Sequence, residues 1–144
     1  MYRKSLVMMV ALAAMAGSAA AAHDINNSCP DLHSVRIAKS KSKSVGGDTY
    51  TTSPTSNGNP WIGVNPPEAN DVEPRDLEFT SVSIVNDQHL IACDYAGPGL
   101  SGLRMSLKLK KTAQPVGASW VQDPNLSNVL TCTDKDRKRC AFKL

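Results

Sequence analysis

Alternating apolar and polar side chains mark the clearest element of secondary structure in the chain. Leu103, Met105, Leu107 and Leu109 alternate with polar or basic residues, as in a strand with one buried face. A helix would distribute these four side chains around its circumference. The alternation therefore predicts a strand over residues 103–110, although leucine and lysine favour helices.

Two segments rich in β-branched and aromatic residues precede this strand, at residues 77–85 and 88–95. Asn86 and Asp87 separate them and tolerate turn conformations, so the pair predicts a hairpin. Apolar positions change parity within the first segment, which indicates a β-bulge or a strand covered on both faces. The glycine-rich residues 96–102 then lead into the alternating strand, and the three strands predict an antiparallel meander.

The rest of the chain shows weaker strand patterns. Val35 and Ile37 predict a short strand that returns over residues 49–52 after a turn at residues 46–48. Residues 53–76 contain five prolines and predict a long loop, since proline cannot donate to a ladder; a short apolar stretch at residues 61–64 interrupts it. A second loop follows Lys111, and weak strands are expected around Trp120, residues 129–132 and residues 140–144. The predicted fold is all-β, a small antiparallel meander or sandwich with long loops.

The first 22 residues have the three parts of a secretory signal peptide. Arg3 and Lys4 form a basic start, residues 6–15 are apolar, and small side chains follow up to Ala22. A membrane anchor needs about 20 strongly apolar residues, and a lipid-modified cysteine follows an apolar, small-residue box, whereas Cys29 follows polar residues. We expect residues 1–22 to be cleaved and residues 23–144 to form one mature domain, periplasmic or secreted.

Removing the predicted signal peptide changes the apparent charge and composition. The full chain has a formal net charge of +3 and is 41% hydrophobic. Residues 23–144 carry 14 basic and 13 acidic side chains and are about one-third apolar. These values exclude a second domain, a membrane-spanning mature protein and the strongly basic body typical of nucleic-acid binders.

The four cysteines predict two disulfides, because an exported chain meets an oxidising compartment. Three connectivities are possible. We favour Cys132 with Cys140, which closes a short polar loop, and Cys29 with Cys93, which ties the N-terminal segment to a predicted strand. A structural zinc site is the alternative, but the chain has no C-x-x-C pair. We expect no metal and no cofactor.

The sequence contains little that indicates catalysis. It has no nucleophile elbow, Walker loop, H-E-x-x-H motif or dinucleotide fingerprint, and the glycines around Ser101 are explained by a turn. His33 and His89 would act as general bases only if a carboxylate oriented them; otherwise they are exposed polar side chains. We assign no catalytic residue and keep a small secreted hydrolase that uses His33 or His89 as an alternative.

Three basic stretches are candidates for contact with an anionic partner. They are Lys39, Lys41 and Lys43, which alternate with serines; Lys108, Lys110 and Lys111; and Arg137, Lys138 and Arg139. Together they form one patch for an acidic protein, a glycan phosphate or a nucleic acid if the fold brings them to one surface. The alternative is solvated charge, including lysines that protect a strand edge.

Trp61 and Ile62 interrupt the proline-rich loop and offer a different surface. A tryptophan on a stiff loop anchors a protein partner well, because it buries a large area at a low entropic cost. The alternative is that Trp61 folds over an open face of the sheet, since the chain has only six aromatic residues after the signal peptide.

Four short motifs carry a resemblance to a known group of proteins: Cys29-Pro30, Tyr50, Trp61-x-Gly63 and Cys93-x-Tyr95. With a signal peptide before them and a further cysteine after them, their spacing resembles a family of small exported proteobacterial proteins of unknown function. The likeness covers most of residues 23–144. It implies a compact disulfide-linked β domain in the periplasm or outside the cell, and it implies no substrate or catalytic residue.

These observations favour a non-catalytic binding or inhibitor protein, for example an immunity protein that blocks a cell-wall-degrading toxin or a lysozyme-like enzyme. Small size, export, disulfides and long loops without a catalytic motif support this hypothesis. A further alternative is an envelope component that binds glycans through Trp61 and Trp120. The predicted partner-binding residues are Trp61, Ile62, Lys108, Lys110, Arg137, Lys138 and Arg139.

Overall fold

The structure, a computed structural model, describes residues 26–38, 47–65 and 72–144. The predicted signal peptide and the alternating Lys39, Lys41 and Lys43 lie outside these residues. Within them the chain forms ten strands: β1 (Arg36–Ala38), β2 (Thr49–Thr51), β3 (Ile62–Val64), β4 (Glu78–Val85), β5 (Leu90–Ala96), β6 (Gly102–Lys108), β7 (Gln114–Pro115), β8 (Trp120–Gln122), β9 (Val129–Cys132) and β10 (Phe142–Lys143). Short 3-10 turns cover Leu32–Ser34, Pro74–Asp76 and Asn86–Gln88.

Eight strands form one antiparallel sheet in the order β1-β2-β3-β6-β5-β4-β9-β8, and β7 pairs with β10 in a separate ribbon. The all-β prediction is confirmed, as is the central meander of β4, β5 and β6. The hairpin turn between β4 and β5 is longer than predicted, because His89 adopts a left-handed conformation with a φ of 48° before β5 begins.

The predicted bulge lies near the start of β4. Its register with β5 shifts between Phe79 and Ser81. The side chain of Phe79 faces the core before the bulge, and after it the even-numbered Val82 and Ile84 face the core. The parity change in the sequence therefore has a direct physical cause, since one extra residue in one strand reverses the side-chain alternation beyond it.

A continuous row of core-facing residues crosses all eight strands. Its members are Ile37, Tyr50, Gly63, Met105, Cys93, Val82, Cys132 and Trp120. Gly63 allows a close approach in this row, because a Cβ there would lie 2.7 Å from the Met105 sulfur and 2.8 Å from the Arg104 carbonyl oxygen. The other face of the sheet carries mainly small and hydroxyl side chains, among them Thr51, Ser106, Ala92, Ser83 and Thr131.

Residues from outside the sheet close the core over its inner face. Leu32, Val72, Leu77 and Phe142 belong to the same buried cluster as the inward residues of the sheet. The ring of Phe142, from the ribbon, lies edge-on at 6.3 Å from the indole of Trp61. Asn27 also pairs with Phe142 through an antiparallel bridge, so the start of the described chain and its end cover the core together.

Two strands lie in segments that were predicted as loops. β3 is an inner strand between β2 and β6, so the short apolar stretch that was predicted to interrupt the loop of residues 53–76 is part of the sheet. The three residues of β3 fall between Pro60 and Pro66, so no proline interrupts the ladder. In the second loop, Pro115 pairs opposite Phe142 in the ribbon, where a two-residue edge tolerates a missing donor.

The two disulfides join Cys29 to Cys93 and Cys132 to Cys140, and the connectivity predicted from the sequence is confirmed. The first spans 64 residues and the second 8. Two disulfides fit an oxidising environment outside the cytoplasm. In the described residues, no helix has the length and apolar character to cross a membrane.

Candidate functional site

The register of the central strands separates two ends of the sheet. At one end Glu78, Ala96 and Gly102 lie side by side; we call this the turn end and define it by residues 72–78, 97–101 and 133–139. At the other, Lys108 lies beside Leu90; we call this the far end and define it by residues 52–61, 86–89, 109–112 and 123–128. The candidate interaction residues divide between these two ends.

Two of the basic stretches that would form one patch if the fold brought them together lie at opposite ends of the sheet. Lys108 and Lys110 are exposed at the far end, whereas residues 137–139 belong to the turn end. Lys108 also lies in an inner strand and donates to the Gln88 carbonyl oxygen at 3.1 Å, so it does not protect an edge of the sheet. The interpretation of these two stretches as a single cationic surface is therefore wrong.

Arg137 is tied to the N-terminal segment of the domain. Its guanidinium donates to the Cys29 carbonyl oxygen at 2.8 Å and to the Asp31 carboxylate at 3.0 Å. Only 30% of its side chain is exposed. The structure thus gives Arg137 a positioning role inside the molecule, which corrects its assignment as a residue with its cation available to a partner.

Lys138 and Arg139 differ in how far their charges are available. Both lie in the loop of residues 133–139 that the Cys132–Cys140 disulfide closes, which we call the disulfide-closed loop. Arg139 forms an ion pair of 3.2 Å with Asp134 in this loop. Lys138 is exposed, and Lys135, three residues before it, is exposed as well; neither has an ion-pair partner in the part of the chain that the structure describes. Lys135 and Lys138 are therefore the exposed cations of this loop that no ion pair holds within the described residues, whereas the exposed Arg139 is paired.

Neighbouring side chains of the short apolar stretch at β3 lie on opposite faces of the sheet. Trp61 is 4% exposed and belongs to the core, so the core-packing alternative holds and its assignment as an exposed anchor is corrected. The reason is the shortage of large side chains, which makes the indole necessary to fill the space against Phe142. Ile62 points to the other face and is 48% exposed, in the position that was predicted to be open to a partner.

The histidines and the second indole give no support to the two alternative functions. His33 and His89 are exposed, and no carboxylate contacts either ring within the described ranges. The His89 ring lies 3.5 Å from the Thr112 hydroxyl. Trp120 is partly buried and donates its indole N–H to the Ala141 carbonyl oxygen at 3.0 Å, so Trp61 and Trp120 do not form one exposed aromatic surface for a glycan.

Leu100 is the residue that the sequence reasoning missed. It lies at the tip of the turn between β5 and β6 and is 100% exposed. The turn is held by backbone bonds from Gly97 to the Ser101 oxygen at 3.0 Å and from Ser101 to the Pro98 oxygen at 3.3 Å. Gly99 has a φ of +65°, a conformation that glycine adopts without strain. A large apolar side chain among glycines was the available signal.

An open groove of about 910 Å³ lies beside this turn. One wall is the start of β4 together with Asp76, and the other is the disulfide-closed loop with Thr133, Lys135 and Arg137. The end of β5 and Pro98 close one side. The groove and the exposed Leu100 therefore share the turn end.

Burial and ion pairing stiffen the residues beneath the turn end. Tyr95 donates its hydroxyl to the Pro30 carbonyl oxygen at 2.7 Å, and burial raises the pKa of Tyr95 well above its ordinary value. On the outer face, Arg104 binds Asp94 through two nitrogens at 2.7 and 2.9 Å. This hydrogen bonding raises the pKa of Arg104, which stays charged.

In the three described ranges, no group of three His, Cys, Asp or Glu side chains is arranged to hold a metal ion. Comparison with protein-family models, curated proteins and solved structures gives no match to this chain.

Proposed function

We propose that residues 23–144 form a non-catalytic binding protein of the periplasm or the extracellular space, which holds a protein partner at the turn end. The single observation that carries this proposal is Leu100, fully exposed on a preformed turn. Burying a leucine contributes about 1.5–3 kcal/mol. Because the turn is already ordered, little of that gain is lost to ordering on binding.

The geometry of the turn end favours a partner with a concave surface. A tip that projects beyond the sheet matches a cleft better than a flat surface, and an aliphatic anchor needs a pocket to enter. The exposed charges of the turn end have both signs, with Lys135 and Lys138 on one side and Asp76 and Glu78 on the other, so they favour a cleft that carries both acidic and basic groups. We propose that the partner is a secreted hydrolase, such as a cell-wall-degrading toxin or a lysozyme-like enzyme, and that the chain acts as its inhibitor or immunity protein.

Binding to a panel of purified enzymes tests this function. The oxidised protein, residues 23–144, is titrated by calorimetry against a lysozyme, a muramidase toxin and a peptidoglycan amidase, and enzyme activity is followed in parallel. We expect one of these enzymes to bind and to lose activity. Replacement Leu100→Asp should weaken that binding at least about tenfold, or about 1.4 kcal/mol.

Leu126→Asp is the matched control. Leu126 is 53% exposed in the turn between β8 and β9 at the far end, so the same substitution there should leave the affinity unchanged. Equal losses in the two variants would contradict a role for the turn end. Failure of every enzyme in the panel to bind would contradict the hydrolase partner.

A further inference from the structure

The start of β4 has a strand on one side only. β4 has eight residues, but β9 pairs with just four of them, from Val82 to Val85. The first four residues of β4, 78–81, have β5 on one side and no strand on the other within the described part of the chain. β4 therefore presents a short unpaired edge at the turn end.

The groove lies along this unpaired edge. Glu78, Phe79 and Thr80 line it from β4, and the disulfide-closed loop that follows β9 lines it from the opposite side. The chain leaves the sheet after Cys132 to form this loop, so β9 does not continue along residues 78–81. The space between the loop and the start of β4 is open to solvent.

The bulge lies at the same point as the groove. Thr80 is the residue between the two registers of β4 and β5, and its hydroxyl donates to the Asp94 carbonyl oxygen at 3.0 Å. A bulge bends its strand and increases the local twist. The bulge thus lies two residues before Val82, where the pairing of β4 with β9 begins.

The wall of the groove formed by β4 is acidic, whereas the wall formed by the loop carries charges of both signs. Asp76 and Glu78 are exposed on the first wall, and Lys135 and Asp136 are exposed on the second, where the Asp136 carboxylate accepts a hydrogen bond from the Lys138 backbone N–H at 3.0 Å. The cation of Arg137 is already occupied by Asp31. An occupant that complements both walls carries a basic side chain toward β4 and an acidic side chain toward Lys135.

We propose that the groove binds an extended peptide segment of the partner protein, which adds as a strand beside residues 78–81. Backbone hydrogen bonds to the unpaired edge would supply affinity, and the acidic wall of β4 together with Lys135 on the loop would select the side chains. This inference deepens the proposed function, because it states the form in which the partner enters the turn end. Leu100 and the groove would then contact two parts of the same partner.

A capped six-residue peptide is the probe. Valine and threonine alternate in it, and one lysine and one glutamate are included to contact Glu78 and Lys135. Its binding is followed by amide shifts of the isotope-labelled protein. We expect binding in the range of about 1 mM, with shifts concentrated at residues 78–81 and 133–137. No binding up to about 5 mM, or shifts concentrated elsewhere, would overturn the proposal.

Methylated peptide amides separate strand addition from side-chain contact. In an added strand, alternate N–H groups face the neighbouring strand. Methylation of those amides should weaken binding at least about fivefold, whereas methylation of the amides between them should change it less than twofold. An equal effect at every position would overturn strand addition.

Lys135→Glu and Lys138→Glu form a matched pair in the protein. Lys135 lines the groove and Lys138, in the same loop, does not. The first replacement should weaken binding of the peptide at least about threefold and the second less than twofold; equal effects would overturn the assigned charge contacts. Two combined outcomes separate this inference from the proposed function. If the peptide binds but no enzyme of the panel does, strand addition holds and the hydrolase partner is rejected. If an enzyme binds through Leu100 but the peptide does not, the hydrolase partner holds and strand addition is rejected.

Discussion

The turn end and the far end of the same sheet are held by different kinds of contact. Below the turn end, a disulfide closes the loop after β9, Arg137 binds the Cys29 carbonyl oxygen, and Tyr95 binds the Pro30 carbonyl oxygen. At the far end, the amides of Asn57 and Asn59 both donate to the Lys108 carbonyl oxygen. In the described residues, the turn end thus combines these ties with the fully exposed side chain of Leu100.

This difference has a physical consequence for binding. A rigid base beneath Leu100 means that a partner does not have to order the turn end, so more of the burial energy remains as affinity. The far end lacks such covalent ties in the described residues. The two ends should therefore respond differently when their ties are removed one by one.

Removal of the disulfides should have the largest effect. Replacing both Cys29 and Cys93 by alanine releases a loop of 64 residues and should lower the free energy of unfolding by about 4 kcal/mol, against about 2.5 kcal/mol for Cys132 and Cys140, because loop entropy grows with length. Denaturant unfolding at neutral pH measures both values. A larger loss for the shorter loop would show that the loop after β9 stabilises the turn end by more than chain entropy.

Arg137 should contribute next. Arg137→Met removes the donor of the Cys29 carbonyl oxygen and the ion pair with Asp31, and the expected loss of unfolding free energy is about 1–2 kcal/mol. Arg139→Met is the control, since its side chain is 68% exposed and an exposed ion pair contributes about 0.5 kcal/mol or less. Equal losses would show that Arg137 is not the tie between the two disulfide segments.

The far end can be tested with the same kind of substitution. Asn59→Ala removes the 2.8 Å bond from its amide to the Lys108 carbonyl oxygen, and the expected loss is about 1 kcal/mol. Asn125→Ala, in an exposed turn at the same end, should have almost no effect, because Asn125 uses its backbone N–H to bind Asp123. A loss at Asn59 as large as that at Arg137 would remove the contrast between the two ends.

Sequence patterns predicted the centre of the fold better than its ends. The alternation in β6, the parity change in β4 and the pairing of the cysteines all follow from local rules, and all three are confirmed. Motif residues such as Tyr50 and Gly63 lie opposite each other in the core-facing row. Their pattern therefore describes how the core is built in this chain, and it contains no information about a partner.

The candidate site depends on features that local patterns do not contain. Leu100 is exposed because of where the turn between β5 and β6 projects, and Arg137 is occupied because a residue more than 100 positions earlier approaches it. The groove exists because β9 is shorter than β4. Each of these features depends on which distant segments meet in the folded protein. The alternation of apolar and polar residues along one strand contains no information about such meetings.

The smallest predicted effect depends on pH and concerns Tyr95. Its hydroxyl binds Pro30, and burial raises the pKa of Tyr95 in the folded state above the ordinary value of 10.0. The unfolded chain therefore ionises first, so the contribution of Tyr95 to stability is complete below pH 10 and is lost as the pH rises above it. Tyr95→Phe should cost about 1 kcal/mol or less at neutral pH and should make unfolding less dependent on pH between about 10 and 11. Denaturant unfolding of both proteins across this range measures the difference, and parallel pH profiles would show that the Tyr95 hydroxyl does not help to fix the turn end to the N-terminal segment.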